Sequence, residues 1–200
     1  MNITEKITKT FISFITNNTE KSEEEIEKVQ YGFQVIIINL FKIIILFFTA
    51  YLLKIFIYTL VAFIVFGIFR SFACGVHANT SLICIIINYV VFLGNVFISI
   101  NFSLNKSIIV TMYIISLILV ILYAPADTEE RPLISKNYRK KLKTRAISVV
   151  LVFTLISLLI GHSIYINLIT TSIIEESIML TPLAYIIFKK PYRNYANAKF

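Results

Sequence analysis

Residues 55–81 read IFIYTLVAFIVFGIFRSFACGVHANTS. Ile55–Phe69 carries no charge and reads as a helix that crosses a membrane. Arg70–Ser81 is a short polar break, and another apolar run starts at its end. An apolar run, a polar turn and a second apolar run describe two helices in lipid joined at the membrane edge. The rest of the chain repeats this pattern. Of its 200 residues 58% are hydrophobic, and its mean hydropathy is +0.82, whereas soluble domains hold roughly 45–50% apolar residues. A span needs about 20 residues, so the length accommodates about six and little outside the bilayer. Backbone groups in lipid must be paired internally, and runs this long exceed barrel strands. The fold class expected is an all-α polytopic membrane protein with about six transmembrane helices.

Outward from that stretch, the first span is expected over Phe33–Leu53, closed by a tight turn at Lys54. The third is expected over Ser81–Ile100 and the fourth over Ile108–Tyr123. A polar, basic loop should cover Ala124–Arg145. The fifth span should run from Ala146 to Gly161 or His162, and the sixth from Ile166 to Phe188 with Glu175 and Glu176 inside it. Over residues 3–15, Ile3, Ile7, Phe11, Phe14 and Ile15 share one helical face, which predicts an amphipathic helix lying in the interface. Ser22 and Glu25 form a capping box that opens the helix leading into the first span. The start lacks a long apolar core with a small-residue cleavage site, so no removable signal peptide is expected. The whole is read as one integral membrane domain over 1–200. Residues 1–30 form the interfacial N-terminal segment, 31–188 the bundle and 189–200 a cytoplasmic tail.

Charge sets the orientation. With six spans, both termini, the 70–80 break and the 124–145 loop share one side. Sixteen of the nineteen Lys and Arg residues lie there, against Lys54 and Lys106 opposite, while Lys42 sits inside the first span. The positive-inside rule makes that side cytoplasmic. The net charge of +8 is therefore a topology signal that also favours anionic membrane lipid. Nothing beyond charge points to nucleic acid.

Two cysteines on a reducing membrane face do not predict a disulfide. Cys74, His77 and Cys84 provide three ligands, one short of a structural zinc site, and no metal or other cofactor is expected. With Ser81 as N-cap, Cys84 would be the third residue of its helix, where free N–H groups and the helix dipole favour a thiolate. A neighbouring imidazolium would favour it further. Seven residues of continuous helix would separate His77 and Cys84 by about 10 Å, so the pair requires a non-helical 75–80 segment. The alternative is a small core cysteine and a loop histidine reaching water. Polar groups within spans carry two readings each. Gln34 orients the His77 imidazole or donates to an oxyanion, or joins helices. Arg70 holds a peptide carboxylate or anchors lipid. Glu175 and Glu176 face a polar interior or lie in an outward loop.

Arg70-x-x-Ala73-Cys74-Gly75-x-His77-Ala78, followed by Cys84, resembles the accessory gene regulator B family of membrane cysteine endopeptidases from low-GC Gram-positive bacteria, whose motif runs Arg-x-x-Ala-Gly-Gly-x-His-Ala ahead of a cysteine. Tyr31-Gly32-x-Gln34, Ala124-Pro125-x-Asp127-Thr128, the basic run Arg139–Lys143 and Leu180-Thr181-Pro182-Leu183 match in order. Cys74 departs from the family's glycine. The resemblance implies that His77 and Cys84 are catalytic. It implies that a short amphipathic propeptide is cleaved through an acyl-enzyme, and that a quorum-sensing thiolactone or lactone closes. It also implies a homodimer. A small transporter or export component, lined by Glu175 and Glu176, and a non-catalytic scaffold are the alternatives.

Overall fold

A computed structural model of the chain describes residues 22–78, 80–161 and 163–196. The expected interfacial helix over residues 3–15 and His162 lie outside the described residues. The chain divides into two compact units, 1–49 and 50–200.

Helix α1, Glu23–Leu52, begins in the first unit and continues past its end. Its start is the expected capping box: Ser22 N–H donates to Glu25 Oε2 at 3.1 Å, and Glu25 N–H donates to Ser22 Oγ at 3.4 Å. A Lys28–Glu24 pair one turn apart follows. Lys54, at φ 58°, ends the helix. Ile55 N–H reaches Ala50 O and Lys54 N–H reaches Tyr51 O, the paired bonds of a left-handed helix stop.

The second unit holds α2 (Phe56–Ala73), α3 (Ser81–Asn88), a π-helical turn (Tyr89–Leu93), α4 (Gly94–Asn101), α5 (Lys106–Tyr123), α6 (Lys136–Ile160), α7 (Ile164–Met179) and α8 (Pro182–Ile187). Side-chain caps mark most starts. Asn105 accepts from Ile108 N–H, Ser135 from Tyr138 N–H and Ser163 from Ile166 N–H. Among the described residues the structure is all helical apart from a parallel β-bridge between Cys74 and Ala126.

Three boundaries correct the sequence reading. Helix α2 continues through Arg70 to Ala73, so the polar break begins at Cys74. The basic run belongs to α6, because Ser135 caps a helix before Lys136 and leaves a loop over residues 124–135. The sixth apolar run, 166–188, is two helices rather than one. Thr181 caps α8 and Pro182 sits in its first turn, where its missing N–H is harmless to α8 but would break α7.

Among the described residues, five stretches are long and apolar enough to cross a membrane: Glu24–Leu52, Phe56–Ala73, Ser81–Asn101, Lys106–Tyr123 and Lys136–Ile160. The protein is thus a multi-pass membrane protein. Helix α7 is shorter and occupies the middle of the second unit, packed against α2, α4, α5 and α6. It buries Asn167, Thr170, Thr171, Ser172, Glu176 and Ser177, residues that lipid would reject but neighbouring helices can satisfy. Asn95 Nδ2 donates to Ser172 Oγ and Glu175 Oε2, Thr171 Oγ1 donates to Asn95 Oδ1, and Asn167 Nδ2 donates to the carbonyls of Ser99 and Phe102. This polar seam ties α4 to α7. Around it, Phe69, Ala73, Val76, Val120, Ala146, Ile173, Leu180 and Tyr185 form one apolar core.

Candidate functional site

The backbone leaves α2 through two residues at positive φ, Cys74 at 64° and Gly75 at 119°. These turn the chain sharply across the end of the bundle. Gly75 N–H donates to Ala126 O at 2.8 Å, Ala126 N–H donates to Ala73 O at 2.9 Å, and Val76 N–H reaches Met179 O at 3.3 Å. Val76 is buried in the core and its neighbour His77 is exposed. Successive residues of an extended segment point to opposite sides, so anchoring Val76 inward sends His77 outward.

Residues 75–78 are non-helical, as the His77–Cys84 spacing requires of these four. Asn79, in the same segment, lies outside the described residues. Helix α3 then starts at Thr80, whose Oγ1 accepts from Ile83 N–H at 3.3 Å. The N-cap is therefore Thr80 and not Ser81, and Cys84 is the fourth helical residue, with its N–H on Thr80 O. Threonine wins because its extended backbone (φ −129°, ψ 154°) aims the hydroxyl back over the first turn. Cys84 is half-buried, one turn from the helix start. Helix geometry leaves the N–H groups of Ser81 and Leu82 without intrahelical partners on that turn.

Arg70 and Glu176 explain how the loop keeps its shape. Arg70 Nη1 donates to Glu176 Oε2 at 2.8 Å, while its Nη2 donates to Val76 O at 2.6 Å and to Gly75 O at 3.4 Å. One guanidinium thus joins α2, α7 and the His77 loop. The sequence offered Arg70 as a peptide-carboxylate ligand or lipid anchor, yet its donors are turned inward. The outward-loop alternative for Glu175 and Glu176 is overturned too: both lie within α7, and Glu176 is fully buried. A Cβ on Gly75 would stand 3.2 Å from both Arg70 Nη1 and Glu176 Oε1. Glycine is needed here for space as well as for φ. Glu175 is the acceptor for Asn95. Gln34 lies on α1, in the first unit.

Burial pushes the Cys74 thiol above its ordinary range, and the nearby Arg131 and Arg70 only partly offset it. Cys74 is therefore a poor thiolate former.

Asp127, to which the sequence alone gives no role, ties the 124–135 loop to the C-terminal segment. Its carboxylate accepts from the backbone N–H groups of Asn194 (3.0 Å), Tyr195 (2.6 Å) and Leu133 (3.3 Å), and Tyr185 Oη donates to its carbonyl at 2.6 Å. Residues 189–196, read as a tail, are thereby pinned against the 124–135 loop, and Lys190–Glu130 adds an ion pair. An aspartate two residues after a proline in a polar loop was the available signal.

The model of the family described as Accessory gene regulator B matches residues 3–180. The chain belongs to the accessory gene regulator B family. A putative AgrB-like protein of Listeria innocua is 35% identical over 173 residues, covering 86% of this chain and 85% of that one. One from Clostridium acetobutylicum is 31% identical over 171 residues, with 86% and 82% covered. The accessory gene regulator protein B of Staphylococcus intermedius is 32% identical over 162 residues, with 81% and 85% covered. No solved structure matches. The family match takes in the His77 loop, the start of α3, Asp127 and all of α7.

Proposed function

We propose that this AgrB-family protein is a membrane-embedded cysteine endopeptidase that matures a quorum-sensing peptide. The observation that carries the reading is the His77 loop. It is held by backbone bonds to Ala126 and Met179 and by Arg70, and it leads within a few residues into the first turn of the helix that bears Cys84. Such a rigid support is what a nucleophile–base pair needs. The Cys84 thiolate attacks a carbonyl on the C-terminal side of the future ring. The C–N bond breaks, His77 gives its proton to the departing amine, and the propeptide remains as a thioester on Cys84. A thiol or hydroxyl of the propeptide then attacks that acyl carbon, closing the ring and freeing Cys84. Thioester-to-thiolactone exchange is close to balanced, so the site must exclude water. Ser81 contributes a first-turn N–H. Arg70 and Glu176 act as positioning residues, and Glu175 supports α7.

In this reading α7 makes a sixth crossing. Its 16 residues span about 24 Å at 1.5 Å each, and its four neighbours shield its polar groups from lipid. Both termini and the site then lie on the cytoplasmic side, as the distribution of Lys and Arg favours. The family resemblance adds a homodimer, all of it one membrane domain.

Co-expression with short amphipathic peptides encoded beside the gene, followed by mass spectrometry, tests the proposal. The wild-type chain should yield a ring-closed peptide and a separate tail. Cys84→Ala and Cys84→Ser should yield neither, whereas Cys74→Ala should retain most activity. Tail release by Cys84→Ala would overturn it in favour of a transporter or scaffold.

A further inference from the structure

A cleft of about 570 Å³ opens where the end of α5, the start of α6 and the C-terminal segment meet. Lys136, Lys140 and Lys143 line it from α6. Their spacing of four and three residues puts them on one helix face. Arg193 faces them from the C-terminal segment. Arg139 is fixed by two bonds from its Nη1, to Leu133 O at 2.6 Å and Ile134 O at 2.9 Å, and lies 3.9 Å over the Tyr195 ring. Asp127 also lines the cleft, but its carboxylate already accepts three backbone N–H bonds. Among the described residues, no carboxylate pairs with any of these five cations.

We propose that this cleft binds the phosphate headgroup of an anionic phospholipid. Charge alone would admit any anion; depth and shape select a lipid. The uncharged part of α6 begins at Ala146, so Lys143 and Lys140 stand about 5 and 9 Å outside it along the helix. The polar layer of a bilayer is roughly 5–8 Å thick on each side, which brings these two ammonium groups to phosphate depth. Tyr123, Tyr192 and Tyr195 line the same cleft, and tyrosine favours this boundary. Leu122 on the cleft wall is 57% exposed and leads onto the lipid-facing side of α5, giving acyl chains a route out. The walls are preformed, because Asp127 and Arg139 hold the C-terminal segment and the 133–134 backbone in place.

Native mass spectrometry of the full chain, titrated with phosphatidylglycerol or phosphatidylcholine, tests this. The wild type should retain one phosphatidylglycerol and little phosphatidylcholine. A lysine at a charged membrane surface contributes about fivefold in affinity, so Lys140→Gln/Lys143→Gln should weaken phosphatidylglycerol roughly 30-fold. Lys140→Arg/Lys143→Arg should keep it. Lys54→Gln/Lys106→Gln, with the same charge change away from the cleft, should also keep it. Equal losses in the two glutamine pairs would reduce the effect to diffuse attraction and overturn the site. Displacement of the lipid by inorganic phosphate would make it a free-anion site. Lysine-dependent binding of a hexaglutamate peptide to protein held in phosphatidylcholine nanodiscs would make it a peptide site. Either result overturns the proposal. If the glutamine pair does not fold, each single variant should still show its own fivefold loss.

Discussion

Cys74 stands at φ 64° and ψ −130°, a conformation suited to glycine, which the family motif carries at this position. Holding a side chain there costs about 1–3 kcal/mol, part of which glycine returns by loosening the unfolded chain. Cys74→Gly is expected to raise stability by about 1 kcal/mol and to keep function, checked by thermal melting in detergent and by peptide maturation. Its burial-raised thiol pKa agrees with a dispensable sulfur. Gly75 is the opposite case. Alanine would meet both strain at φ 119° and the Arg70–Glu176 contact at 3.2 Å. Gly75→Ala should destabilise by about 2 kcal/mol or more and abolish maturation even in the folded fraction. A variant that melts and matures peptide like wild type would remove the steric argument.

Among the elements, α2 and α7 act on the His77 loop through one ion pair. Removing one partner of a buried pair costs about 3–5 kcal/mol because the other charge is stranded, whereas replacing both with apolar groups costs far less. Glu176→Leu and Arg70→Met should each destabilise strongly, and the double variant should recover much of the loss, a coupling that a double-mutant cycle reads directly. Maturation should stay low in the double variant, because Val76 O has lost its donor. Arg70→Lys should not substitute, since a single ammonium lacks the fork that reaches Glu176 and Val76 together. Full activity in the stable double variant would show that the loop needs no clamp.

At the scale of the whole molecule, Asp127 joins the 124–135 loop to the chain's end. Its buried carboxylate satisfies three N–H groups, and charge-assisted bonds of this kind contribute about 1.5–3 kcal/mol each. Asp127→Ala should lower stability by at least about 3 kcal/mol and make residues 189–196 susceptible to proteolysis. Asp127→Asn, which keeps one acceptor oxygen, should lose less. Limited digestion of both variants in detergent checks the order. If the C-terminal segment stays protected in Asp127→Ala, the apolar contacts of Tyr185 and Tyr192 hold it without the carboxylate.

Class and the start of α1 were legible in the residues, for local reasons. Long uncharged runs can satisfy their backbones in lipid only as helices. Ser22 with Glu25 caps α1 because the partners lie three residues apart, and Lys54 stops it within a few bonds. The order of the motifs along the chain also carried the family. Other features depended on contacts between distant residues. Ser81 and Thr80 are both good caps, and the backbone angle imposed by the anchored loop chose Thr80. Glu175 and Glu176 looked as if they split a span; Asn95 and Arg70, 80 and 106 residues away, make their burial tolerable. Asp127 gained its role only when the chain's end folded back to supply N–H groups. The sequence by itself determined that the chain lies in a membrane as helices, because that follows from apolar length and local capping. Only tertiary structure decided which polar residues clamp the His77 loop, because a buried charge is stable only where a distant partner meets it.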